Sequence, residues 1–109
     1  MKYDADLVII GAGSAGLSVA AGAVQMAARV VLIEGGEMGG DCLNTGCVPS
    51  KALIEAARRA KGAASAKNLG VSYNDVTVDY ASVMRHVRET IAAIEPHDSQ
   101  ERFEGLGVR

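Results

Sequence analysis

Tryptophan is absent from these 109 residues, phenylalanine occurs once and proline twice, so the core is expected to be built mostly from aliphatic side chains. Hydrophobic residues nevertheless make up 49% of the chain, most of them Ala, Val, Leu and Ile. A chain of this length is at most one domain, burying roughly 60–65% of its unfolded surface on folding. Charge of one sign is lacking too: 11 Lys and Arg face 13 Asp and Glu, for a net charge of −2. Without a basic field, nucleic acid is not an expected partner. No apolar run approaches the about 18 residues that mark a membrane helix, so no membrane association is expected. The first residues, Met1-Lys2-Tyr3-Asp4-Ala5-Asp6, are polar and lead straight into an apolar run, unlike a secretory signal. A cytoplasmic location follows as the expectation.

Metal chemistry has few candidates. A zinc site needs about four ligands, and beside Cys42 and Cys47 there are only His86 and His97, far along the chain. The two cysteines therefore call for another explanation. In a reducing compartment a structural disulfide is disfavoured, and closing so short a loop would stabilise the fold by only about 2 kcal/mol. A redox-active pair is the better reading. Two unpaired, buried cysteines acting as small hydrophobes are the alternative, against which the surrounding glycines argue.

What is present begins with Asp6-Leu7-Val8-Ile9-Ile10, an apolar run of the kind found in strands buried on both faces. It ends at Gly11-Ala12-Gly13-Ser14-Ala15-Gly16, which opens an Ala-rich helical stretch from about Ser14 to Ala28. A second apolar run, Arg29-Val30-Val31-Leu32-Ile33, delivers Glu34 at its end. In this arrangement Gly11 permits a tight turn, Gly13 lets backbone approach a pyrophosphate, and Gly16 lets helix pack on strand. Around Ser14 and Ala15 the helix N-terminus offers free N–H groups and a positive dipole end to phosphates. Glu34, eighteen residues past Gly16, is placed to accept hydrogen bonds from ribose hydroxyls. A lone G-x-G-x-x-G is weak; one that follows a strand, opens a helix and is answered by an acid after a second strand is much stronger.

Next comes Gly39-Gly40-Asp41-Cys42-Leu43-Asn44-Thr45-Gly46-Cys47-Val48-Pro49-Ser50-Lys51. Residues five apart on an ideal helix point about 140° away from each other, whereas a disulfide needs Cβ atoms about 3.8 Å apart. The intervening Asn44-Thr45-Gly46 predicts a tight loop that brings the thiols together. Pro49 suits the first turn of a helix running from about Val48 to Ala60 and stopping at Gly62. At such a helix start the thiols would feel its positive end, with pKa lowered and thiolate favoured, and Lys51 adds positive charge nearby.

With both motifs in view, the sequence resembles the class I pyridine nucleotide-disulfide oxidoreductases, the family of lipoamide dehydrogenase, glutathione reductase and mercuric reductase. The resemblance covers most of the chain and rests most specifically on the C-x-x-x-x-C run. It implies an α/β fold: a Rossmann-like βαβ FAD-binding unit with parallel strands and additional helices, an incomplete piece of a larger domain. Cys42 would be the interchange thiol that attacks a substrate disulfide, and Cys47 the charge-transfer thiol against the flavin. Lys51 would stand near the flavin's reactive nitrogen. Gly11, Gly13, Ser14, Ala15, Gly16 and Glu34 would hold the ADP half of FAD, and Gly39, Gly40 and Asp41 would approach its pyrophosphate or flavin side. NAD(P) would bind through a domain absent from these residues, as would the C-terminal interface domain of a homodimer, leaving 1–109 as the N-terminal part of the FAD-binding domain. The implied substrate is a small-molecule disulfide or dithiol, or a metal ion. Asp41 stands where many members have Thr, and Ala27-Ala28 where a glycine helix stop is common. Ser50-Lys51-Ala52-Leu53 is more similar to the lipoamide dehydrogenase and mercuric reductase branches than to glutathione reductase.

The remaining residues are blander. Ser65 to Thr77 reads as irregular, Asp79 as a helix N-cap, and Tyr80, Val83, Val87, Ile91 and Ile94 as one apolar helix face. His86 and His97 read as solvated residues, and Arg58, Arg59 and Lys61 as a solvated face in a helix's last turns. Glu104 to Arg109 reads as a turn feeding a new strand. Two rival functions remain at this level. One is an NAD-binding Rossmann dehydrogenase with incidental cysteines; the other is a non-catalytic nucleotide-binding or thiol-sensing module.

Overall fold

A computed structural model describes residues 3–109; Met1 and Lys2, which belong to the polar start, lie outside it. The chain forms the expected βαβ unit. Strand β1 (Leu7–Ile10) and strand β2 (Val30–Ile33) are parallel, in the register Leu7↔Val30 to Ile10↔Ile33. Helix α1 (Ser14–Gln25) makes the crossover. Because α1 is rich in Ala and Gly it can lie close to the sheet, and its Leu17 and Ala20 are buried with Ala12 and Val30. Phe103 and Val108 complete that cluster from the other end of the chain. The single Phe is thus spent on closing the βαβ unit.

Helix α1 is shorter than its composition predicts. It ends at Gln25, and Ala27 itself takes the left-handed turn (φ 62°) that a glycine would adopt freely. An Ala in that region costs on the order of 1 kcal/mol. The strands also differ from expectation. They alternate between half-buried and exposed, with Val8 56% and Ile10 85% exposed. The sheet is covered on one face only, so the apolar runs that suggested burial on both sides have one bare side.

After β2 come a short helix α2 (Gly40–Asn44) and a long helix α3 (Cys47–Ala66). Pro49 lies in the first turn of α3 as predicted, where its missing N–H disturbs no ladder bond. The stop predicted at Gly62 is overrun. A lone glycine costs a helix about 1 kcal/mol, which the Ala, Lys and Arg around it outweigh. Termination waits for a 3₁₀ turn at Lys67–Leu69 and for Gly70, whose φ of 79° makes the left-handed cap. Arg58 and Arg59 therefore sit mid-helix, both paired with Glu55 rather than complementing a helix end.

Helix α4 (Tyr80–Ile94) begins where Asp79 accepts a hydrogen bond from the Ala81 N–H at 3.1 Å. Its apolar face packs on α3 through buried Val87 with half-buried Val83, Ile91 and Ile94, but Tyr80 stays 68% exposed at the rim. A 3₁₀ turn at Glu95–Asp98 leads into helix α5 (Gln100–Leu106), which carries Phe103. His86 and His97 are exposed, as expected. Glu104 to Leu106, read as a turn, belong to α5, and no third strand forms among the described residues, although the Arg109 N–H donates to Val30 O at 3.0 Å and its carbonyl accepts from the Leu32 N–H at 2.7 Å. No described helix is long and apolar enough to cross a membrane.

Candidate functional site

Both motifs lie at the carboxyl ends of the strands, where parallel sheets bind ligands. Gly11 leaves β1 with φ 102°, a value that suits glycine, and its N–H donates to Ile33 O at 2.8 Å. A Cβ on Gly16 would stand 1.9 Å from Gly11 O, so helix and turn touch backbone to backbone. A Cβ on Gly13 would meet nothing within 4 Å, which leaves open space over the turn. Helix α1 has Gly13 as its N-cap, with no side-chain cap and no acidic residue in its first turn. Its positive end is left for an anion to neutralise.

Glu34 is where the acid was predicted, and its carboxylate has a second task. The Ala12 N–H donates to Oε2 at 2.6 Å and the Gly36 N–H to Oε1 at 2.7 Å. Those bonds, the Ala12 one first, hold its pKa below the usual carboxylate value. Each oxygen keeps a further lone pair for a ribose hydroxyl. Beside it lies a cleft of about 340 Å³ lined by Leu32, Met38, Phe103 and Val108 among others. A larger, shallower trough of about 790 Å³ runs between α3 and residues 73–77, far in sequence from either motif, and we assign it no chemistry.

The cysteine segment is docked directly onto the glycine turn. Gly39 (φ 87°) donates its N–H to Ala12 O at 2.9 Å, and a Cβ on Gly40 would come 2.8 Å from Gly13 Cα. Residue 12 thus joins both sides of the site, giving its N–H to Glu34 and its carbonyl to Gly39. Cys42 falls within α2 and is half-buried; Cys47 is the first residue of α3 and is exposed; both are free thiols. The turn at Thr45 and Gly46 reverses the chain and brings the two thiols near enough for each to bear on the other's ionisation. Asp41 and Lys51 are both exposed, Asp41 in the first turn of α2.

One expectation is overturned here. A helix N-terminus was to lower the thiol pKa, yet that of Cys42 is raised. The Cys47 thiol beside it is the largest cause, followed by burial and the repulsion of a second thiolate; the Cys47 backbone N–H and, after it, the Lys51 charge oppose these. The N–H at the start of α3 does pull the Cys42 pKa down, but the neighbouring thiol and burial outweigh it. Two contributors escaped the sequence reading. Ala12 was hidden because it works through backbone, and Asn44 because it was read only as part of a tight loop.

Residues 5–104 match the family model described as pyridine nucleotide-disulphide oxidoreductase. The dihydrolipoyl dehydrogenase of Geobacillus stearothermophilus is 40% identical over 80 residues, 73% of this chain and 17% of that protein. Dihydrolipoyl dehydrogenase 3 of Haloarcula marismortui is 51% identical over 73 residues, 67% of this chain and 15% of that protein. The chain thus spans under a fifth of the length of these relatives. Among solved structures, the Cu(II) complex of a mutant of the HOCl-induced flavoprotein disulfide reductase RclA from Escherichia coli superposes with a TM-score of 0.73. It is 22% identical, covering 98% of this chain and 21% of that one, and its likeness is one of fold.

Proposed function

This chain belongs to the pyridine nucleotide-disulphide oxidoreductase family, and from that we propose that it is the N-terminal part of an FAD-binding domain, carrying the redox dithiol of a flavoprotein disulfide oxidoreductase. The observation that carries the reading is the docking of one motif on the other: Gly39 N–H on Ala12 O at 2.9 Å, with Gly40 against Gly13. A dinucleotide site with incidental cysteines gives no reason for a dithiol to be held against the phosphate turn.

The residues present fit FAD. The open space over Gly13 and the uncapped N-terminus at Ser14, Ala15 and Gly16 suit a pyrophosphate, and the free lone pairs of Glu34 suit a ribose. Asp41 and Lys51, both exposed, would flank the far side of the cofactor. When bound, FAD supplies the two-electron chemistry that links the dithiol to NAD(P)H held by another domain. The protein's own part is thiol–disulfide exchange. The Cys42 thiolate attacks one sulfur of a substrate disulfide, forming a mixed disulfide and releasing the other sulfur as a thiolate. Cys47 then attacks the Cys42 sulfur, closing the Cys42–Cys47 disulfide and releasing the second substrate thiol, so that two electrons pass to the substrate. In the dihydrolipoamide dehydrogenase direction the same steps run backwards. The substrate class is a small-molecule disulfide or dithiol, or a metal ion in a mercuric reductase-like parent. The complete protein acts as a cytoplasmic homodimer.

The test is anaerobic visible absorption of the chain mixed with FAD and reduced stepwise with a dithiol. A long-wavelength charge-transfer band that Cys47→Ser abolishes is the expected result. Binding of NAD with no binding of flavin would overturn the proposal in favour of a dehydrogenase.

A further inference from the structure

We infer that Asn44 is a positioning residue for the dithiol: its side-chain amide clamps the loop that carries Cys42 and so sets how readily Cys42 and Cys47 close into a disulfide. Asn44 is half-buried at the last residue of α2, and its Nδ2 donates to Met38 O at 3.1 Å and to Gly40 O at 2.9 Å. Both amide protons are therefore used on the two carbonyls that flank Gly39.

Beside this clamp the loop is held by the buried Leu43 and by a few backbone bonds, among them Thr45 N–H to Asp41 O at 3.0 Å. Helix α2 has five residues, too few for its own ladder to be cooperative. Its N-cap is Gly39, which has no side chain to cap with, and both Gly39 (φ 87°) and Gly40 (φ 59°) are left-handed. Glycines in that conformation are also free to leave it. Asn44 ties the end of α2 back to its beginning, and Gly39 N–H ties the beginning to Ala12. Cys42 lies midway between Gly40 and Asn44, so the clamp fixes its backbone on both sides. No hydrogen bond joins Asn44 to either thiol among the described residues, so it acts through the loop.

The inference rests on the reading that the pair is redox-active, and one experiment separates the two. The 109-residue chain is equilibrated with mixtures of reduced and oxidised glutathione and then alkylated, and disulfide content is read by mass. In this reaction the dithiol gives two electrons and two protons to glutathione disulfide, forming the Cys42–Cys47 bond and two glutathione thiols. Asn44→Ala should lower the equilibrium constant about tenfold, the worth of two modest hydrogen bonds. Asn44→Asp should lower it at least as far, because a carboxylate has no donor and faces two carbonyls. Asp79→Ala, which loosens α4 without touching the loop, serves as the control and should leave the constant unchanged. Asn44 variants within twofold of wild type, or a control that falls as far as they do, would overturn the clamp while leaving the redox pair standing. A wild-type chain that closes its disulfide no more readily than in strong denaturant would overturn both.

Discussion

Glycine positions that look equivalent in the fingerprint carry different physical loads. A methyl group on Gly16 would sit 1.9 Å from Gly11 O, inside a backbone contact that neither partner can yield. A methyl group on Gly13 would enter open space, at a φ of −79° that alanine adopts freely. Gly13→Ala should therefore leave the chain as stable as wild type, or up to about 1 kcal/mol more stable, while weakening FAD at least tenfold, since the new methyl occupies the phosphate's approach. Gly16→Ala should destabilise the fold by roughly 3 kcal/mol or more. Urea unfolding set beside flavin titration separates the two roles. A Gly13→Ala chain that binds flavin like wild type would remove the pyrophosphate from that turn. Glu34 teaches the same lesson in reverse, because the acid expected to meet a ribose also fastens the turn through Ala12.

Among the elements, the βαβ unit is held at its open end by charge. Asp6, just before β1, accepts from Arg29 through the backbone N–H at 2.9 Å, Nε at 3.0 Å and Nη2 at 2.7 Å. Arg29 side-chain and backbone hydrogen bonds hold the Asp6 pKa down to about 2. A carboxyl depressed on folding contributes stability that is present above its unfolded pKa, near 3.9 for aspartate, and lost as pH falls through the folded value. Asp6→Asn should thus lower the melting temperature at neutral pH and flatten its fall between about pH 4 and pH 2. Identical slopes in variant and wild type, followed by circular dichroism, would show the pair to be idle. These elements were legible in the sequence wherever a local signal decided them: the two apolar runs, the glycine turn, Pro49 in a first turn, Asp79 as a cap. They were illegible where a distant partner decided. The end of α3 depends on a left-handed Gly70 rather than on Gly62, and the bareness of Val8 and Ile10 depends on which face of the sheet is covered. Of the candidate site, the residue types were readable from spacing. The docking of Gly39 on Ala12 and the raised pKa of Cys42 were not, because both arise between segments that touch only after folding.

As a whole the molecule is extended, 73 × 26 × 19 Å with a radius of gyration of 20.2 Å, against about 13 Å for a compact chain of this length. Its surface of 7911 Å² exceeds the about 5,700 Å² that scaling assigns to a folded monomer of 11.2 kDa. The core is correspondingly uneven. One cluster joins β2, α1 and α5 through Val30, Leu17, Ala20 and Phe103, whereas α3 and α4 bury only Ala52 and Val87. Local opening free energies follow buried apolar contact, so the α3–α4 arm should open well before the βαβ unit. Native-state hydrogen exchange should show two classes of amide: those of α3 beyond about residue 60 and of α4 exchanging through low-energy opening, and those of β1, β2 and α1 only through global unfolding. Val87→Ala should speed exchange in the first class alone. Phe103→Ala, at about 3–5 kcal/mol for losing a buried aromatic, should collapse both. Cys47, the first residue of α3, stands at the end of the arm nearest the βαβ unit, apart from the part expected to open first. Ligand that binds the glycine turn stabilises only the folded state, by about 2.7 kcal/mol at a hundredfold excess over Kd. Because Gly39 docks on that turn, the protection FAD confers should extend across α2 into the first turns of α3 and fade along the arm. Protection confined to β1, α1 and β2 would show that the dithiol segment is not coupled to the nucleotide site.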